Sequence, residues 1–126
     1  MTEPSAPSRT VVAVQVDGAV VGTGLGRAGV VAVAEVADGT VTAWTEHPVG
    51  WDVLHGQGAE GSHHARIVRF LREHGVQAVA TGHVGAPMHH TLTKLGCTVV
   101  VGATGDARTT AITAAEQYRA EHGSAG

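Results

Sequence analysis

The stretch Val76-Gln77-Ala78-Val79-Ala80-Thr81-Gly82-His83-Val84-Gly85-Ala86-Pro87 decides the fold of this chain. Residues 76–81 form a short apolar run, which is typical of a buried strand. Residues 82–85 predict a tight turn, and the proline that follows suits the first turn of a helix over 87–95. A glycine ends that helix, and residues 97–101 return as a further strand. Strands that alternate with helices in this way predict a parallel pairing.

The remaining elements extend this pattern towards both termini. Asp38-Gly39 is a strong hairpin signal, so the strands on either side of it are expected to pair antiparallel. Residues 40–46 then form one edge of the sheet. The element order β-β-β-α-β-α-β-α predicts an α/β fold with a mixed five-stranded sheet flanked by helices. The other predicted elements are strands 9–16, 30–36 and 40–46 and helices 62–74 and 106–121.

Composition excludes several classes of function. The 126 residues carry a net charge of −3 and 3% aromatic residues, which gives neither a basic surface nor a stacking platform for nucleic acid. No apolar run is long enough to span a membrane, and the first residues lack the apolar core of a signal peptide. The lone Cys97 fits a reducing, cytoplasmic environment. We expect a single domain over residues 10–122, with disordered tails at 1–9 and 123–126.

Histidine is the residue type that points to a function. The chain has nine histidines, and seven fall in the loops and helix starts that follow the predicted parallel strands. Those loops share the carboxyl edge of the sheet, where open α/β sheets bind ligands. The seven residues are His47, His55, His63, His64, His83, His89 and His90.

A metal site at this edge is the first hypothesis, because imidazole suits soft-to-borderline transition metals. Met88 and Cys97 are additional nearby candidates. Any single histidine here could simply be solvated, but the grouping favours a function. His74 and His122 end their helices, where a cation is favourable, and need no further explanation. The candidate metal ligands are His55, His63, His64, His83 and His89.

The turn over residues 82–85 is also a candidate anion cradle, with free N–H groups expected at 86–89. The glycine-rich run over 22–27 resembles a phosphate loop but leads into a strand, so no helix dipole supports it. Two alternatives to metal binding remain open. One is a small enzyme that uses a histidine as general acid or base on an anionic substrate. The other is an interaction module whose loop over 47–61, carrying Trp51, docks a partner.

Short glycine-based motifs along the chain resemble the dinitrogenase iron–molybdenum cofactor biosynthesis family, over about residues 10–118. The resemblance implies a ribonuclease-H-like fold and a carrier or chaperone of iron–sulfur or molybdenum-containing clusters, rather than a catalyst. The motifs are Val12-Ala13-Val14, Gly26-Arg27-Ala28, Asp38-Gly39, His55-Gly56, residues 75–85, Leu95-Gly96-Cys97-Thr98-Val99 and Gly102-Ala103.

In the metallocofactor hypothesis Arg27 would balance an anionic cluster, and the turn that holds Gly82, His83 and Gly85 is the other candidate for cofactor binding, because it can cradle an anion. Two departures suggest a different ligand. Gly24 stands where the family motif usually has histidine, and His83 stands where glycine is usual. The bound group is therefore an unspecified transition metal or cluster, with iron–sulfur, molybdenum, copper and zinc as the candidates. The sequence leaves open whether the ligands come from one chain or from a homodimer.

Overall fold

The structure is a computed structural model that describes residues 9–54 and 60–122. His55 lies outside the described residues, and so do both expected tails with the exception of Arg9. The strands are β1 Thr10–Asp17, β2 Val20–Val21, β3 Val30–Ala37, β4 Thr40–Pro48, β5 Ala78–Ala80 and β6 Thr98–Val100. The helices are α1 Trp51–Leu54, α2 Glu60–Glu73, α3 Ala86–Lys94 and α4 Ala107–Glu121, and Leu25–Arg27 forms a 3₁₀ turn.

The sheet is mixed, with the order β4-β3-β1-β5-β6, and β2 pairs with the end of β1. Strand β1 runs parallel to β5, and β5 runs parallel to β6. Strand β3 is antiparallel to both β1 and β4, so β4 also points the same way as β1. The predicted α/β class, the parallel strands and the edge position of the third predicted strand are confirmed. Over the described residues the sheet has six strands, one more than predicted, and the additional strand is β2.

Two apolar layers cover the two faces of the sheet. Alternate residues of β1 explain this arrangement, because successive side chains of a strand point to opposite faces. Val12 and Val14 pack with the alanine-rich face of α4. Ala13 lies on the other face, in a cluster with Ile67 of α2 and Leu92 of α3. Because β1, β5 and β6 run parallel, their carboxyl ends lie at one edge of the sheet.

The segment after β4 differs most from the prediction. Strand β4 continues through Pro48, so His47 lies in a strand and not in a loop. Trp51 begins the short helix α1 and is only 2% exposed. Since its indole is buried in the core, Trp51 cannot serve as the exposed docking residue of an interaction module. No helix within the described ranges is long and apolar enough to cross a membrane.

Candidate functional site

Two loops meet at the carboxyl edge of the sheet. Gly82, which follows β5, donates its N–H to the carbonyl of Gly22 over 2.9 Å. Leu25 donates its N–H to the carbonyl of His83, also over 2.9 Å. A Cβ atom on Gly82 would lie 2.9 Å from the Gly22 oxygen and 3.1 Å from the Thr23 Cα. Glycine at position 82 therefore allows the two backbones to touch.

A cleft of about 450 Å³ opens beside this contact. Arg27 and His83, two of the predicted site residues, both line it and are exposed. None of its five described lining residues is an acid, so a guanidinium, an imidazole, an amide and a hydroxyl face the space. Such a donor-rich surface favours an anion. The lining residues are Gln15, Thr23, Gly24, Arg27 and His83.

The floor of the cleft is held by a buried side-chain contact. The Thr81 hydroxyl donates to the Gln15 Oε1 over 2.6 Å and also lies 3.2 Å from the His83 carbonyl oxygen. Because the Gln15 oxygen is engaged by Thr81, its amide nitrogen is the group left to donate to a ligand. Gln15 was not predicted as a site residue, because no motif surrounds it and it lies inside strand β1.

His63 supports the turn that carries Arg27. Its Nε2 lies 2.7 Å from the Gly26 carbonyl oxygen, and its Nδ1 lies 2.8 Å from the Arg66 Nη1. A guanidinium can only donate, so Nδ1 accepts and the ring hydrogen is on Nε2, donating to Gly26. Both ring nitrogens of His63 are thus engaged, and a metal could bind there only if one of these contacts opened.

The other predicted ligands are not drawn into one centre. His64 is half-buried on α2, and His89 is exposed on the first turn of α3. Across the described ranges, no group of three or more His, Cys, Asp and Glu side chains could hold a metal ion. His55 falls outside those ranges. The five-histidine metal set remains a prediction.

The start of α3 offers fewer free donors than expected. Gly85 is its N-cap residue, and no side chain caps this end. Pro87 has no N–H, and His89 donates its N–H to the Gly85 carbonyl over 2.9 Å. Only Ala86 and Met88, two of the four predicted positions, keep N–H groups without an intrahelical partner.

Met88 and Cys97 are not available as nearby ligands. The Met88 side chain is buried in the core beneath α3. Cys97 precedes β6 and therefore lies at the amino end of that strand, opposite the edge that holds the cleft. Burial raises the pKa of the Cys97 thiol, which disfavours the thiolate that binds metals.

The chain matches the family model described as dinitrogenase iron–molybdenum cofactor over residues 8–118. No curated protein matches the chain at a significant level.

Several solved structures share the fold. The apo form of the orange protein from Desulfovibrio gigas is 22% identical, with a TM-score of 0.63 over 94% of this chain and 92% of that one. The protein PH0822 is 20% identical, with a TM-score of 0.63 over 83% of this chain and 87% of that one. The Methanocaldococcus jannaschii protein mj0327 is 15% identical, with a TM-score of 0.58 over 90% and 92%. At these identities the likeness shows the fold alone.

Proposed function

Because this chain belongs to the dinitrogenase iron–molybdenum cofactor family, we propose that it carries an anionic metal–sulfur cluster in the Arg27–His83 cleft. The cluster is cargo, held for transfer and not transformed. The observation that carries this proposal is the character of the cleft: among the residues that the structure describes, its lining holds a guanidinium and an imidazole but no carboxylate. We further propose that the fold is of the ribonuclease-H-like type and that the carrier works in the cytoplasm.

The side chains that line the cleft contribute to binding in different ways. Arg27 supplies a permanent positive charge, since a guanidinium stays protonated in proteins. His83 supplies either a hydrogen bond to a cluster sulfur or, as a neutral imidazole, a direct ligand to the metal. Gln15 and Thr23 add neutral donors. Exposure of Arg27 and His83 fits a carrier, because the cargo must leave again.

The cleft differs from an ordinary metal-ion site. A bare divalent ion needs at least two anionic or imidazole ligands, and the described part of the lining offers a single imidazole beside a cation. A preformed thiometallate anion, such as tetrathiomolybdate, brings its own sulfide ligands, so the protein needs to supply mainly charge and hydrogen bonds. The donor set therefore favours a cluster over a bare ion.

Binding of tetrathiomolybdate, an anionic molybdenum–sulfur probe with visible absorption, tests this proposal. Untagged protein should shift the probe's absorption and retain it on a desalting column. Arg27→Gln and His83→Ala should each weaken retention at least tenfold. Arg69→Gln and His90→Ala alter exposed residues of the same types on α2 and α3 and should bind as the wild type does. Wild-type binding by both cleft variants would overturn the proposal.

A further inference from the structure

His47 and His74 form an imidazole pair away from the cleft. His47 lies near the end of the edge strand β4, and His74 directly follows α2. Their ring centroids are 4.5 Å apart with an interplanar angle of 50°. Among the described histidines, these are the two whose rings touch. Nothing in the sequence relates them, because the strand residue and the residue at the helix end are 27 positions apart.

The two rings are held in place from one side. The Phe70 ring lies 4.5 Å from the His74 ring and 5.5 Å from the His47 ring, between centroids. Phe70 in turn meets the buried Trp51 edge-on at 5.5 Å. Both imidazoles are half-buried. This aromatic backing limits how far either ring can rotate without losing packing.

Within the described part of the chain, the ring nitrogens of His47 and His74 form no hydrogen bond, whereas those of His63 are both engaged. His122 also uses a ring nitrogen, with Nδ1 3.0 Å from the Tyr118 carbonyl oxygen. Burial, and secondarily the neighbouring His74 ring, lowers the pKa of His47 from its ordinary value. The neutral imidazole is the form that binds metals.

The spacing suits two ligands of one ion. With metal–nitrogen bonds of about 2.0–2.1 Å, two imidazoles at roughly 90–110° around a metal have centroids about 4.5–5 Å apart. The observed 4.5 Å lies at the short end of that range. We propose that His47 and His74 bind one borderline divalent cation, with water in the remaining positions, and so clamp the edge strand β4 to the end of α2.

Imidazole ligands and open water positions favour Cu²⁺ over Ni²⁺ and Zn²⁺. This site is independent of the cargo cleft, whose lining includes neither histidine. A free cation and an anionic cluster are therefore proposed to bind different residues, and either proposal can fail without the other.

Substoichiometric Cu²⁺ added to the untagged protein tests the site, because a paramagnetic ion broadens nearby NMR signals. The ring signals of His47, His74 and Phe70 should broaden before those of His83, His89 and His90. His47→Gln and His74→Gln should each weaken Cu²⁺ binding at this site at least tenfold. His122→Gln is the matched control and should leave it unchanged.

A second measurement guards against a folding defect in the variants. Zn²⁺ should raise the thermal midpoint of the wild-type protein, since a ligand that binds only the folded state stabilises it. His47→Gln/His74→Gln should show no such rise while keeping a cooperative transition in EDTA. Equal broadening at all exposed histidines, or an undiminished Zn²⁺ response in the double variant, would overturn the proposal.

Discussion

The imidazole of His63 and the carbonyl oxygen of Gly26 lie 2.7 Å apart, which ties helix α2 to the turn that carries Arg27. Arg66, one turn along the same helix, holds the other ring nitrogen at 2.8 Å. His63 therefore contributes to the cleft by positioning the backbone beside Arg27. In the proposed carrier, this contact fixes the position of the Arg27 guanidinium, which faces the cargo.

Replacing His63 should separate positioning from direct binding. His63→Ala removes the donor to Gly26, and a typical hydrogen bond contributes about 0.5–1.5 kcal/mol, so tetrathiomolybdate affinity should fall roughly 2–10-fold. His63→Gln keeps an amide donor close to the position of Nε2 and should retain most of the affinity. Equilibrium titration followed by absorption measures both variants. Equal losses in the two would mean that the ring itself, and not its hydrogen bond, is needed.

Salt should reveal the contribution of Arg27. An exposed guanidinium acts on an anionic ligand through a screened interaction, so the affinity of the wild-type protein should fall as ionic strength rises. In Arg27→Gln the affinity should be lower and its dependence on salt shallower. Titrations at about 0.05, 0.15 and 0.5 M salt measure the two slopes, with Arg69→Gln as the charge-matched control. Parallel slopes in wild type and Arg27→Gln would place the attracting charge elsewhere.

The fold could be predicted where a few adjacent residues determine the backbone conformation. Asp38 and Gly39 adopt φ values of 54° and 71°, as a tight hairpin turn between β3 and β4 requires. Gly75 and Gly96, at φ 63° and 86°, end α2 and α3 as expected. Strand β2 escaped prediction because two residues carry no periodicity, and its pairing with β1 defines it.

The site could be predicted only to the level of the sheet edge. Parallel strands place Arg27 and His83 at the same edge, but their shared cleft depends on the contact between Gly22 and Gly82. Gln15 gains its role from Thr81, 66 positions away. Such long-range partners leave no local pattern in a single sequence, which is also why the contact between His47 and His74 was not foreseen.

The close approach at Gly82 predicts a specific loss of stability. Gly82→Ala would place its Cβ against the backbone of Gly22 and Thr23, which cannot rotate away as a flexible side chain can. Overpacking of this kind costs about 1–3 kcal/mol. Urea unfolding should show a lower midpoint for Gly82→Ala. Gly26→Ala is the control, since its Cβ would have the His63 Nε2 as nearest atom at 4.0 Å and should not lower the midpoint.

Asp106 should make stability depend on acid pH. Its carboxylate accepts the Thr109 N–H and hydroxyl at the start of α4, and these bonds lower the pKa of Asp106. A carboxyl group whose pKa is lower in the folded than in the unfolded protein stabilises the folded state at any pH above its unfolded pKa. That stabilisation is lost as the pH falls through the pKa of the folded state. Asp106→Asn keeps a capping side chain but cannot titrate. Near pH 6 the urea midpoint of the wild-type protein should therefore be higher than that of Asp106→Asn. This difference between the two midpoints should shrink below about pH 4. A difference that stays constant with pH would mean that the charge of Asp106 does not stabilise α4.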